Sequence, residues 1–131
     1  YRYEDKYILY YDYEEELEST PIIRLILQPL IENSLYHGIK PLDGSGFIKL
    51  KITERDNWLT VTVIDTGVGM EKAEITALYE KINHPGNENI GLANVNSRLV
   101  MQYGEESRLK ILSKKHMGTC ISFRIPFSQS L

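Results

Sequence analysis

Apolar residues recur along this chain with two different periods, and the changes of period divide it into elements. Residues 7 to 13, YILYYDY, have the tyrosine- and isoleucine-rich composition of a strand, and the acidic run Glu14 to Glu18 closes it as a solvated loop. From there the apolar spacing lengthens to three and four. Ile23, Leu27, Leu30, Ile31 and Leu35 form the core-facing stripe of a helix over residues 21–37. Thr20 and Pro21 supply its cap and first position, Gly38 its stop, and Pro29 a point where it is interrupted or bent. The period returns to two in 47–53, FIKLKIT, and 58–64, WLTVTVI, which flank Glu54-Arg55-Asp56-Asn57 and read as a hairpin. A short helix is expected from Glu71 to Ile82, broken by the turn-forming stretch Asn83-His84-Pro85-Gly86-Asn87. Asn89 caps a further helix that runs to Gly104 with Leu92, Val95, Leu99 and Val100 inward, and a last hairpin pairs 108–113 with 119–126.

Strand, helix, two strands, two helices, two strands is an order of clustered hairpins with helices between them. It favours a sheet covered on one face over alternating parallel units, so the expected fold is an α+β two-layer sandwich. With 131 residues and no repeat or low-complexity linker, residues 1–131 are expected to form one domain. The chain opens on Tyr1 within a strand-like run, which suggests a piece of a longer protein.

Charge narrows the function classes. Fifteen basic against eighteen acidic residues leave a net charge of −3, without the Lys/Arg stripe that tracks a phosphate backbone, so nucleic acid is not an expected partner. The single cysteine, Cys120, cannot form an internal disulfide; its apolar neighbours suggest a buried thiol in a reducing, cytoplasmic setting. No apolar run is long enough to cross a bilayer.

Four constellations carry candidate chemistry. Asn33 and His37 stand four apart on one helix face, and an asparagine oxygen suits magnesium, which completes its shell with water and phosphate oxygens. The ordinary alternatives are an asparagine bonded to neighbouring backbone and a histidine placed by the helix dipole rather than by a phosphate. Asp65-Thr66-Gly67-Val68-Gly69-Met70 ends an apolar strand. Its carboxylate can accept a hydrogen bond from an exocyclic amine such as adenine's, and its glycines let backbone approach a flat base. An Asp/Gly turn joining strand to helix accounts for it equally well. Asn89-Ile90-Gly91-Leu92-Ala93-Asn94-Val95 opens a helix whose backbone N–H groups attract anions, after a loop long enough to be a mobile cover; an ordinary capped helix would look the same. Gly118-Thr119 enters the last strand, where the hydroxyl could reach a ligand or simply belong to a hairpin turn.

Taken together, in this order and at these separations, the four resemble the ATP-binding domain shared by sensor histidine kinases, DNA gyrase, the Hsp90 chaperones and MutL. LQPLIENSLYHGI (27–39) looks like its N box, DTGVGM its G1 box and NIGLANV its G2 box. That first stretch, with GLANVNSRL (91–99), Gln102-Tyr103-Gly104, and GT before Ile125-Pro126, is similar to the LytS/YesM branch of the histidine kinases. The resemblance covers nearly the whole chain and implies a Bergerat-type mixed sheet with helices on one face and ATP between them. It implies Asn33 as the magnesium ligand, His37 and Asn94 near phosphate, Asp65 on the adenine amine, Gly67, Gly69 and Met70 in the base-binding turn, Gly91 and Leu92 at the lid edge, and Thr119 supporting the adenine side. Two departures stand out: Asn89 where a glycine is usual, and Tyr36 where a lysine is common.

In the gyrase and chaperone branches a glutamate four residues before the magnesium asparagine activates water; Pro29 stands there in this chain. Glu32, about 100° round the helix from Asn33, could at most assist as a base. Efficient hydrolysis is therefore not expected. The resemblance implies the ATP-binding part of a histidine autokinase. The acceptor histidine would lie on an upstream dimerisation and phosphoacceptor domain, a response regulator would receive the phosphoryl group, and the whole would be the cytoplasmic portion of a bacterial plasma-membrane sensor. His84-Pro85 falls in the cover loop and His116 in a turn, neither on an apolar helix of its own. An ATP-driven conformational switch and a degenerate module that binds partners without nucleotide are the alternatives.

Overall fold

A computed structural model describes residues 6–13, 21–39, 41, 45–84 and 91–127. The acidic run Glu14–Glu18, the Thr20 and Asn89 caps and the loop from Pro85 to Asn87 lie outside the described residues.

The elements follow the periodicity closely. β1 is Lys6–Asp12, α1 Pro21–Ser34, β2 Ser45–Arg55, β3 Trp58–Asp65, α2 Lys72–Asn83, α3 Gly91–Tyr103, β4 Lys110–Lys114 and β5 Gly118–Pro126. Among the described residues, five strands form one sheet in the order β1-β2-β3-β5-β4, with β1 and β2 parallel and the other neighbours antiparallel, which makes the sheet mixed as expected. The β2–β3 hairpin is tight because Asp56 and Asn57 both adopt positive φ, 53° and 68°, the mirror-image turn whose twist matches its strands.

Alternation decides what the sheet buries. Along β3 every second residue, Leu59, Val61, Val63 and then Asp65, faces the helices. Ile48, Leu50 and Ile52 of β2 and Ile121, Phe123 and Ile125 of β5 share that buried layer with Ile23, Ile26, Leu27 and Leu30 of α1 and Leu92, Val95 and Leu99 of α3. Each such aliphatic side chain contributes about 1.5–3 kcal/mol on burial. The helix stripes are slightly displaced from the expected ones. Ile26, Ala93 and Asn96 are buried, whereas Ile31 and Val100 are only partly so. Asn96 is tolerated because its Oδ1 accepts the Leu109 N–H at 2.9 Å. Cys120 lies on the opposite, open face and is half-buried rather than enclosed.

Two expectations about α1 are corrected. The helix runs through Pro29 without interruption, and Gly38 does not stop it: residues Leu35–Ile39 continue as a wider π-helical turn in which Gly38 is buried. Glycine is required there by proximity. A Cβ on Gly38 would lie 2.8 Å from an Asp65 carboxylate oxygen, and one on Gly67 would lie 2.3 Å from the carbonyl carbon of Gly38. The two backbones touch, and the Val68 N–H donates to the Gly38 oxygen at 3.0 Å.

Candidate functional site

Where the sheet's buried layer reaches the end of β3, it turns polar. Strand register sets Ile48, Asp65, Thr119 and Ser113 side by side across four strands. Asp65 occupies the position of the next apolar residue in the β3 alternation and is 3% exposed. A carboxylate so enclosed must be hydrogen-bonded or neutralised. The Gly67 N–H donates to its Oδ1 at 2.8 Å. Burial pushes the carboxyl above its ordinary pKa, opposed by the Gly67 N–H, by the Ser34 hydroxyl and by the Thr119 backbone, which favour the charged form. The Ser34 hydroxyl lies close enough to act on that charge without reaching hydrogen-bond geometry, and it has no other partner among the described residues.

Beside this carboxylate a cleft of about 690 Å³ opens between α1, α2, the start of α3 and the end of the sheet. Its size is that of a small-molecule site. Pro29, Glu32, Asn33, Tyr36 and His37 line one wall, recurring along α1 and its π turn at helical spacing. Glu74, Ala77, Leu78 and Lys81 of α2 line another. Asp65, Val68, Gly69, Met70, Lys115 and Thr119 form the closed end, and Gly91 and Leu92 the rim at the first turn of α3.

The closed end is held by contacts between distant segments. Met70 N–H donates to Ser113 Oγ at 2.9 Å, and that hydroxyl bonds the Gly118 carbonyl at 2.9 Å and meets Thr119 Oγ1 at 2.8 Å. The His116 N–H reaches the Val68 carbonyl at 2.6 Å. Gly69 (φ +71°) is pressed against the Lys114 carbonyl, where a Cβ would lie at 1.9 Å, and a Cβ on Gly118 would lie 2.1 Å from the Asp65 carbonyl oxygen. Gly91 differs: an added Cβ would meet none of the described residues within 4 Å, and the glycine lies on the rim of the cleft.

Of the residues singled out by sequence, Glu32, Asn33, His37, Asp65, Gly69, Met70, Gly91, Leu92 and Thr119 come together in this one cleft. Gly67 does not line it; it sits behind, giving its N–H to Asp65 and its bare face to Gly38. Asn94 is exposed on α3, outside the lining. Ser34 and Ser113 escaped the sequence reading, although each is a small polar residue at a core-facing position of its element. Lys81 and Lys115 carried no motif at all. No cluster of three or more metal-ligating His, Cys, Asp or Glu side chains occurs among the described residues. The adjacent Glu32 and Asn33 do present hard oxygen donors to the cleft, the donor type that holds magnesium when phosphates complete the shell.

Residues 19–129 match the family of histidine kinase-, DNA gyrase B- and HSP90-like ATPases. This chain belongs to that family. Among curated relatives of this ATPase-family chain, the sensor histidine kinase YpdA of Escherichia coli is 38% identical over 125 residues, covering 95% of the chain and 21% of that protein. The sensor protein kinase HptS of Staphylococcus aureus is 33% identical over 132 residues, covering 98% of the chain and 25% of its own length. The chain thus spans a fifth to a quarter of the kinases it matches. In fold it is similar to a blue-light activated histidine kinase of Erythrobacter litoralis (TM-score 0.67, 24% identity, 98% of this chain and 37% of that one). It is also similar to the catalytic domain of histidine kinase ThkA (TM-score 0.64, 18% identity, 92% of this chain and 77% of that one). These neighbours share the mixed sheet with helices on one face. No helix among the described residues is long and apolar enough to cross a membrane.

Proposed function

We propose that the cleft binds ATP with magnesium and presents the γ-phosphoryl group to a histidine on another domain of a sensor kinase resembling the LytS/YesM branch. The observation that carries this reading is Asp65: a carboxylate at a core position, fixed through one oxygen by Gly67 and turned to the cleft. An acceptor in that place suits the 6-amino group of adenine, whereas guanine offers a carbonyl oxygen at the same ring position and would repel it. Val68, Met70 and Leu78 give the base apolar surfaces, and Thr119 stands beside the carboxylate. His37 and the first N–H groups of α3 at Gly91 and Leu92 are then the phosphate neighbours. Magnesium, held by Asn33 and phosphate oxygens, would neutralise charge on the transferring group.

In the transfer the bond between the γ-phosphorus and its bridging oxygen breaks, ADP leaves, and a phosphorus–nitrogen bond forms to the incoming imidazole, which gives up its proton. Glu32 lines the cleft and accepts a hydrogen bond from Gln28 Nε2 at 3.2 Å, which suits an assisting base rather than an independent one. Pro29, lining the same wall where a hydrolytic glutamate would be needed, argues against the ATP-driven switch. Regulator, upstream domain and membrane attachment belong to the longer protein that this reading implies.

Calorimetric titration tests it. ATP with magnesium should bind wild type, GTP at least about tenfold more weakly, since an acceptor facing an acceptor forfeits a buried hydrogen bond. Asp65→Asn should lose the preference. Equal affinity for the two nucleotides in wild type would defeat the assignment of Asp65.

A further inference from the structure

Resting on the nucleotide reading, we infer that Lys81 is, among the described residues, the lysine that neutralises the polyphosphate, in a cleft whose α1 wall has Tyr36 where a lysine could stand. Charge in the cleft leads to it. The lining carries three carboxylates, Glu32, Asp65 and Glu74, and two lysines, Lys81 and Lys115, so a triphosphate enters a site already short of positive charge. Lys115 is committed: its Nζ lies 3.7 Å from a Glu74 carboxylate oxygen, and both side chains are partly exposed. Lys81 is exposed, lines the cleft, and makes no side-chain hydrogen bond or ion pair among the described residues.

Position separates the two lysines further. α2 starts next to the closed, base-binding end, since its capping residue Glu71 follows Met70, whose N–H is tied to Ser113. Lys81 lies seven residues beyond Glu74, about 10 Å farther along the axis at 1.5 Å per residue. That is the scale on which a triphosphate extends from its base. At the same time Lys81 shares the cleft with Asn33, His37 and Gly91. Lys115 thus belongs to the base end and Lys81 to the phosphate end.

Titration of ATP, ADP and adenosine into wild type, Lys81→Gln, Lys81→Arg and Lys72→Gln distinguishes the possibilities. Lys72 is exposed on the same helix outside the cleft and serves as the charge control. Lys81→Gln should weaken ATP binding by about tenfold or more, the loss of one charge-assisted contact, and ADP by less. Adenosine should be unaffected, Lys81→Arg should keep most of the ATP affinity, and Lys72→Gln should behave as wild type. Unchanged ATP affinity in Lys81→Gln, or an equal loss for ATP and adenosine, overturns the inference while leaving the nucleotide reading intact. A wild-type protein that binds none of the three overturns both.

Discussion

On the nucleotide reading, the burial of Asp65 at the cleft serves a ligand rather than the fold. Because its carboxyl is raised by burial, the sign of its linkage is that of an acid disfavoured when charged. Its contribution to stability is present where it is protonated, below the ordinary value of 3.8, and is lost as the pH rises through the raised value. Asp65→Asn should therefore be more stable than wild type at pH 7 in the absence of nucleotide, with the difference shrinking towards pH 4. Urea unfolding at the two pH values measures this, and a difference that grows on acidification would contradict it. The glycines split in the same residue-by-residue way. Gly67→Ala forces a Cβ into the Gly38 backbone and should unfold or severely destabilise the protein, whereas Gly91→Ala should fold normally, because none of the described residues opposes its Cβ. A melt of the two variants in the absence of nucleotide reads the contrast directly. At Cys120, burial and then the Asp65 charge raise the thiol pKa, which keeps it protonated and a poor nucleophile.

At the level of elements, α1 has two faces with separate tasks. Ile23, Ile26, Leu27 and Leu30 anchor it to the sheet, while Pro29, Glu32 and Asn33 meet the cleft. Leu30 is fully buried, so Leu30→Ala should cost about 2–5 kcal/mol in chemical denaturation. Binding by any surviving folded protein should change far less than stability does. The π turn that follows was invisible in the sequence. Gly38 reads locally as a helix terminator, and only the approach of the β3–α2 segment from 30 residues away gives it a different reason to be glycine. Strand periodicity, by contrast, was legible almost to the residue. One buried face enforces a period of two, and a slip of one position would turn the whole set outward.

For the whole molecule, the cleft exists because one end of the sheet's buried face is left uncovered by helix and finished with Asp65, Thr119 and Ser113 instead of aliphatic residues. Ligand binding there should stabilise the entire domain. At nucleotide a hundredfold above its dissociation constant the gain is about 2.7 kcal/mol, a rise on the order of 10 °C in Tm for a domain of this size. Differential scanning fluorimetry with ATP and magnesium reads it, and no rise at saturating ATP would remove the nucleotide reading. By itself the sequence determined the elements, their order, the two-layer class and, through four short motifs, most of the residues that meet in the cleft. Each of those rests on local periodicity or on residue types at short spacing, which a linear chain displays. Tertiary structure alone decided that Gly67 braces Gly38 instead of facing a ligand, that Asn94 lies outside the cleft, that Ser34 and Ser113 bear on the closed end, and that Lys115 is bound to Glu74 while Lys81 is left to the cleft. Those are contacts between segments 29 to 43 residues apart, or the side of an element that the rest of the fold leaves open, and neither has a period along the chain to announce it.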